Sequence, residues 1–433
     1  MIEVISSREK DRLGDTLERI RGRNVAFDAH LLSEVSAIMQ EVRARGDAAL
    51  IEYAARFDGC VLQSAELRVD EGALRRTAAR VEPRVLEAIR EAIRRVRAFH
   101  ELELPQSWVV EAERGVVLSQ RITAIDRAGL YVPGGTASYP SSVVMNVVPA
   151  QVAGVDRVIV ATPPRTLQEN PAVAAALVEL DVTEVYTVGG AQAIAALAFG
   201  TETVPRVDKI AGPGNRYVAA AKKLVFGMVG IDSIAGPSEV LIVADGTARA
   251  SYIASDLLAQ AEHGEDASAI FLTTSNTLAL EVVREVAIQT RKLSRAQVIE
   301  ESLSRYGAII VVDDMDEACA IVNDLAPEHL EIVARDEEGI ASRVRHAGAI
   351  FFGPHSPAAV GDYLAGPSHV LPTGGAARFS SGLGVSDFLK RTNTVKFSAA
   401  ELKRTAPLIA ALAHAEGLDA HARSVLVRLE ESG

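Results

Sequence analysis

The chain has 433 residues, 48% of them hydrophobic and 24% charged, and a formal net charge of −12. This is the composition of a globular protein with ample material for a core, and the length predicts roughly three domain-sized units. The acidic balance argues against non-specific nucleic-acid binding and gives no pull toward anionic membranes. The two cysteines, Cys60 and Cys319, make no disulfide framework and fit a reducing, cytoplasmic compartment. Met1 to Lys10 shows no apolar run of the secretory type, and no apolar stretch approaches the roughly 20 residues of a membrane helix.

In chain order, the stretch to about Leu104 is helical in pattern. Leu31, Val35, Ile38, Met39 and Val42 recur at three and four, and so do Val85, Ile89, Ile93 and Val96. Arg90, Arg94, Arg95 and Arg97 line the opposite face of the second run, the signature of a solvated helix surface. From Asp126 the texture changes to short apolar runs alternating with alanine-rich helical segments. Val158–Ala161 and Val185–Val188 read as strands, with a helix over Ala172–Leu180 and another after Gly190. A second series follows, with strands at Val240–Val243, Ala269–Leu272, Ile309–Val312 and Ile350–Phe352 and a helix from about Ala248 to Glu262. Apolar strands separated by helices predict parallel sheets covered on both faces, hence two Rossmann-like α/β domains. Beyond Gly384 the chain reads as helical, with an apolar stripe of Leu418, Ala422, Val425, Leu426 and Leu429. So short a segment should pack on the rest of the chain or on a second subunit.

Four constellations offer chemistry. In Leu257–Gly264, Gln260 and His263 are three apart at a helix end, on one face and able to share a metal; a capping histidine beside a surface glutamine explains them as well. In Ala326-Pro327-Glu328-His329-Leu330, proline turns Ala326 away from helix. An acid and an imidazole then stand together, suited to proton transfer. Adjacent strand residues face opposite ways, so both serve one site only where the backbone is irregular; an exposed ion pair is the plain alternative. The glycine- and proline-rich stretch from Val360 to Gly375 marks a structured loop carrying Asp362 and His369. His421, in Glu416–His421, lies within the apolar stripe, where an imidazole is commonly a satisfied core residue. No G-x-G-x-x-G, Walker A, H-E-x-x-H or C-x-x-C occurs, so motifs alone do not yield a nucleotide.

Read together, these segments resemble the histidinol dehydrogenase family over nearly the whole chain. The blocks that carry the resemblance are Gly129–Gly135, Val188–Ala193, Gly212–Asn215, Ala235–Glu239, Gln260–Gly264, Ala326–Glu331, the loop from Gly361 to Gly382, and Glu416–His421. The resemblance implies Gln260, His263, Asp362 and His421 as ligands of one Zn2+ per subunit, and Glu328 and His329 as the catalytic acid–base pair. It implies substrate contacts from Ser238, His369 and Glu416 alongside the metal ligands and His329, and NAD contacts from Tyr131, Gln192 and Asn215. The activity so implied is a four-electron oxidation of L-histidinol through L-histidinaldehyde to L-histidine, ending histidine biosynthesis. The implied layout is an N-terminal extension over 1–24, a discontinuous first α/β domain over 25–107 and 238–383, and a second over 127–237. A helical C-terminal segment over 384–433 is then exchanged in a homodimer.

Both cysteines lie outside these blocks, so the expected intermediate is a hydrated aldehyde and not a cysteine thioester. The nearest rival reading is a zinc- and NAD-dependent relative acting on another diol, such as a sulfonated propanediol. The rival from another class is a metal-binding or scaffold protein that keeps the fold; the presence of Glu328 and His329 beside all four ligand positions speaks against it.

Overall fold

The computed structural model describes residues 2–23, 27–112, 115–134 and 139–430. Gly135, which closes the first glycine block, and Asn24, which closes the expected N-terminal extension, lie outside them. The chain forms two compact units: 1–103 with 125–388, and 104–124 with 389–433.

The larger unit holds two parallel sheets. The first has six strands in the order Glu3–Ser6, Gly307–Val311, Ser268–Thr273, Glu239–Ala244, His329–Val333, Ala349–Phe352. Its central strands are buried along their whole length because both faces are covered. Successive side chains alternate between the faces. Val240, Ile242, Phe271 and Ile309 pack with Ile253, Leu257 and Val282 on one side. Leu241, Val243, Ile270 and Leu330 pack with Leu13, Leu17, Ile321 and Val322 on the other. The second sheet has the order Glu184–Thr187, Arg157–Thr162, Arg127–Tyr131, Lys209–Ala211, Gly230–Ile231. The α/β class with two parallel sheets is therefore the one read from the sequence.

Two placements bear on how the chain is partitioned. Glu3–Ser6 is an edge strand of the six-stranded sheet, paired with Gly307–Val311, so the first residues are part of a domain and not an extension. Leu31, Val35, Met39 and Val42 of helix Ala29–Arg45 share a core with Ile159, Tyr186 and Ile194. The expected layout joins 25–107 to 238–383, and this helix buries its stripe on the five-stranded sheet's side. Periodicity names a buried face but not the surface that buries it. The arginine-rich face of helix Pro83–Glu101 is solvated as expected, with Arg94 and Arg95 both paired to Glu91.

The smaller unit is not only helical. Strands Trp108–Ala112, Val116–Ala124 and Leu389–Phe397 form an antiparallel sheet, followed by helices Ala399–Ala415 and Asp419–Glu430. Its buried cluster is small: Ala410, Ala413 and Ala422, with Leu426 against them.

Candidate active site

The site grows from the amino ends of two central strands of the six-stranded sheet. Helix Met315–Leu325 stops at Ala326, which takes a left-handed conformation with φ 50°. Pro327 follows, and the strand starts only at His329. Glu328 thus stays outside the pleat, which removes the objection that neighbours in a strand face opposite ways. Its Oε2 accepts from Ser238 Oγ at 2.6 Å and from the Glu239 amide at 2.9 Å. These bonds favour the charged carboxylate, as does the nearby His329, but burial outweighs them and holds the Glu328 carboxyl above the usual carboxylate range.

His329 lies 3.5 Å from Glu328 through Nδ1, and that nitrogen faces the Glu239 carbonyl at 3.0 Å. A carbonyl only accepts, so Nδ1 carries the proton and Nε2 keeps a lone pair. Nε2 looks toward Asp362, 3.9 Å away. Asp362 lies on a short helix, Ala358–Tyr363, where the sequence predicted loop; the helix starts after Pro357 and the loop begins only beyond Tyr363. The Asp362 carbonyl contacts His369 Nδ1 at 3.1 Å, and His369 Nε2 is 3.4 Å from Ser142 Oγ. Burial lowers the His369 imidazole below its ordinary value despite the Asp362 charge beside it, which keeps the ring neutral.

Gln260 and His263 end the helix Ala250–Ala261, as the sequence placed them. His263 Nδ1 faces the Ala259 carbonyl at 3.0 Å, so its Nε2 is the free donor nitrogen, the orientation a metal-binding imidazole takes. Gln260 is buried, and its Nε2 has no partner among the described residues. That orphaned N–H asks for an acceptor from outside the protein; a cation could be held only by the amide oxygen. Imidazole, carboxylate and amide oxygen form a donor set that zinc accepts, so these residues fit the ion. Among the described residues no three His, Cys, Asp or Glu side chains group as a metal cluster. Glu416 and His421 belong to the smaller unit, and both are exposed there, so His421 is not the core residue its apolar stripe suggested.

Several supporting residues carried no signal in the sequence. Arg23 is buried and pairs with Glu239 while Nη1 donates to the carbonyls of Pro237, Ser238 and Asp266 at 3.1–3.2 Å. Burial brings its guanidinium down to about 10. It locks the loop that presents Ser238. A cavity of about 440 Å³ lies against His329 and His369, walled by Phe99, Phe351, Val360 and Leu371.

Tyr131, Gln192 and Asn215 come together on a second cavity of about 900 Å³, at the carboxyl ends of the five-stranded sheet. The strand order reverses between Arg127–Tyr131 and Lys209–Ala211, and such a switch point is where parallel sheets open a ligand crevice. Tyr131 Oη accepts from the Gly190 amide at 3.1 Å, and burial pushes its hydroxyl up to about 12, so it remains a neutral donor. Asn215 caps helix Arg216–Val225 through Oδ1, leaving Nδ2 to the cavity. Gly212, at φ 113°, sits where a Cβ would overlap the Tyr131 carbonyl oxygen, so no other residue brings these two strand ends so close.

Comparison with known proteins gives a consistent set. The family described as histidinol dehydrogenase matches residues 22–429. The histidinol dehydrogenase of Geobacillus kaustophilus is 54% identical over 395 residues, covering 91% of this chain and 93% of its own. That of Syntrophotalea carbinolica is 47% identical over 432 residues, covering 100% of both. The crystal structure of histidinol dehydrogenase from Elizabethkingia anophelis is 35% identical with a TM-score of 0.90, over 96% of each chain.

Proposed function

The chain belongs to the histidinol dehydrogenase family, and on that premise we propose that it oxidises L-histidinol through L-histidinaldehyde to L-histidine, with NAD as acceptor and one zinc per subunit. The observation that carries this reading is the pairing of Glu328 with His329, whose free Nε2 looks toward Asp362. Gln260, His263, Asp362 and His421 would hold the zinc, which would orient the substrate and polarise its oxygen, and Tyr131, Gln192 and Asn215 would line the site of NAD, which would supply the hydride acceptor.

The protein's own groups handle the protons. His329 Nε2 accepts the hydroxyl proton as the alcohol is oxidised, and again as the hydrated aldehyde is oxidised. Glu328, made more basic by burial, removes the proton of the water that adds to the aldehyde. Ser238, His369 and Glu416 hold the substrate. What speaks against a thioester route is that neither thiol lines the cavity at His329: Cys319 is buried in a core cluster with Sγ on the Ile340 carbonyl, and Cys60 follows the turn at Gly59 with Sγ on the Asp58 carbonyl. The enzyme acts as a homodimer in which Glu416 and His421 serve the partner's site. What supports this is the slight core of the smaller unit beside its exposed Val109, Val395, Leu408 and Leu412.

The test is stoichiometry: each L-histidinol consumed yields two reduced cofactors and one histidine, and a chelator stops turnover until zinc is restored. One reduced cofactor per substrate with aldehyde as final product overturns the four-electron reading.

A further inference from the structure

Two acidic side chains behind the ligand set have no part in the proton transfers above. Asp256 lies on helix Ala250–Ala261, one turn before Gln260 and on the same face, and His263 follows just past the helix end. Glu331 lies on strand His329–Val333, two residues after His329 and on the same side of the strand. The two carboxyl groups lie against each other, close enough to interact. Glu331 Oε1 also accepts from the Ala358 amide at 2.7 Å. Ala358 opens the short helix that carries Asp362, one turn further on.

Three elements therefore meet at one carboxyl pair: the helix with Gln260 and His263, the strand with His329, and the helix with Asp362. Two carboxyl groups held this close are stable only when one of them keeps its proton, since two carboxylates repel. Burial supplies the reason for that proton. It holds Glu331 well above the carboxylate range and brings Asp256 up to about 6. Neither group is a ligand, and an acid pair placed here for packing alone costs desolvation that an apolar pair avoids.

We propose that Asp256 and Glu331 are positioning residues of the metal site, a proton-sharing latch that fixes the three ligand-bearing elements relative to one another before the ion arrives. This rests on the zinc reading given above. Groups standing behind metal ligands typically change affinity by about 10–100-fold when removed.

The experiment measures zinc affinity by competition with a chromophoric chelator, on full-length protein freed of metal, with NAD affinity read in parallel. Asp256→Ala loses about 10–100-fold in zinc affinity and leaves NAD affinity unchanged, because the NAD cavity belongs to the other sheet. Asp256→Asn, which still donates to the Glu331 carboxylate, keeps zinc affinity within about threefold of the parent, since one hydrogen bond replaces another. If the alanine variant does not fold, Asp256→Ser, too short to reach across, serves in its place with the same expected loss. Unchanged zinc affinity in the alanine or serine variant overturns the latch, and so does an asparagine variant that loses as much as they do. A parent protein that binds no zinc, or a Gln260→Ala variant that binds it as the parent does, overturns the zinc reading itself and so is a separate result.

Discussion

At the scale of single residues, Glu328 shows how surroundings choose a chemical role. Two donors and a neighbouring imidazole favour its charge, and burial more than offsets them. A carboxylate of raised basicity suits the removal of a proton from water. Glu328→Gln preserves shape and the bond from Ser238 but not the base. The expected outcome is loss of the aldehyde step by about 10²–10⁴-fold while the alcohol step keeps most of its rate. Reduced cofactor per histidinol then falls from two toward one, with the aldehyde caught by an added carbonyl trap; equal loss of both steps contradicts the assignment. The text Ala326–Leu330 suggested an acid–base pair but gave an exposed ion pair equal standing. What decides between them is the left-handed turn at Ala326, a conformation alanine rarely takes and no local pattern announces. Asp256 and Glu331 were still less visible, because their meaning lies in each other, across 75 residues of chain. His263 was the opposite case. Its place three residues after Gln260, past the helix end, was readable, and the structure keeps both there.

At the scale of elements, the start of helix Arg216–Val225 has two duties. Asn215 Oδ1 accepts from the amides of Tyr217 and Val218 at 3.0 and 3.1 Å, which sets the helix, and the same side chain lines the large cavity. The duties separate by substitution. Asn215→Asp keeps an equally good cap, so stability stays within about 0.5 kcal/mol, but it replaces a donor by a charge facing an anionic dinucleotide. Its KM for NAD rises by about tenfold or more, as loss of a hydrogen bond to a charged group implies. Asn215→Ala loses about 1 kcal/mol of stability as well. Urea unfolding and cofactor titration check the two effects independently; an aspartate variant with parental KM removes Asn215 from the cofactor site. Elements of this kind were legible where burial is complete. The apolar runs at Val240–Val243 and Ala269–Leu272 became strands one residue longer at each end. The strand Leu389–Phe397 was missed because it is exposed along nearly all its length and carries Lys, Arg, Thr and Asn, so it shows neither alternation nor an apolar run.

At the scale of the whole molecule, sequence periodicity finds buried faces and leaves their partners open. That is why helix Ala29–Arg45 was legible as a helix while the side that buries it was not. The same reasoning governs the smaller unit. Its helices bury four alanines, Ala406, Ala410, Ala413 and Ala422, and part of Leu426, while Leu408 and Leu412 are 64% and 69% exposed. Apolar surface on that scale calls for cover, and a second copy of the chain is the cover proposed here. If that copy's site receives His421, the two halves of one active site come from different chains. A chain with His421→Ala has an intact larger unit and a defective tail; a chain with Glu328→Ala has the reverse. Neither homodimer carries histidinol through to histidine at an appreciable rate, and histidine formation is the activity assayed. In a heterodimer, exchange of tails rebuilds one complete site and leaves the other doubly defective, so activity per dimer returns to about half the parental value. Without exchange, every site keeps one defect and nothing returns. Co-expression with two affinity tags, purification through both, and assay of the confirmed heterodimer distinguish these outcomes, and heterodimers that stay inactive count against the shared site.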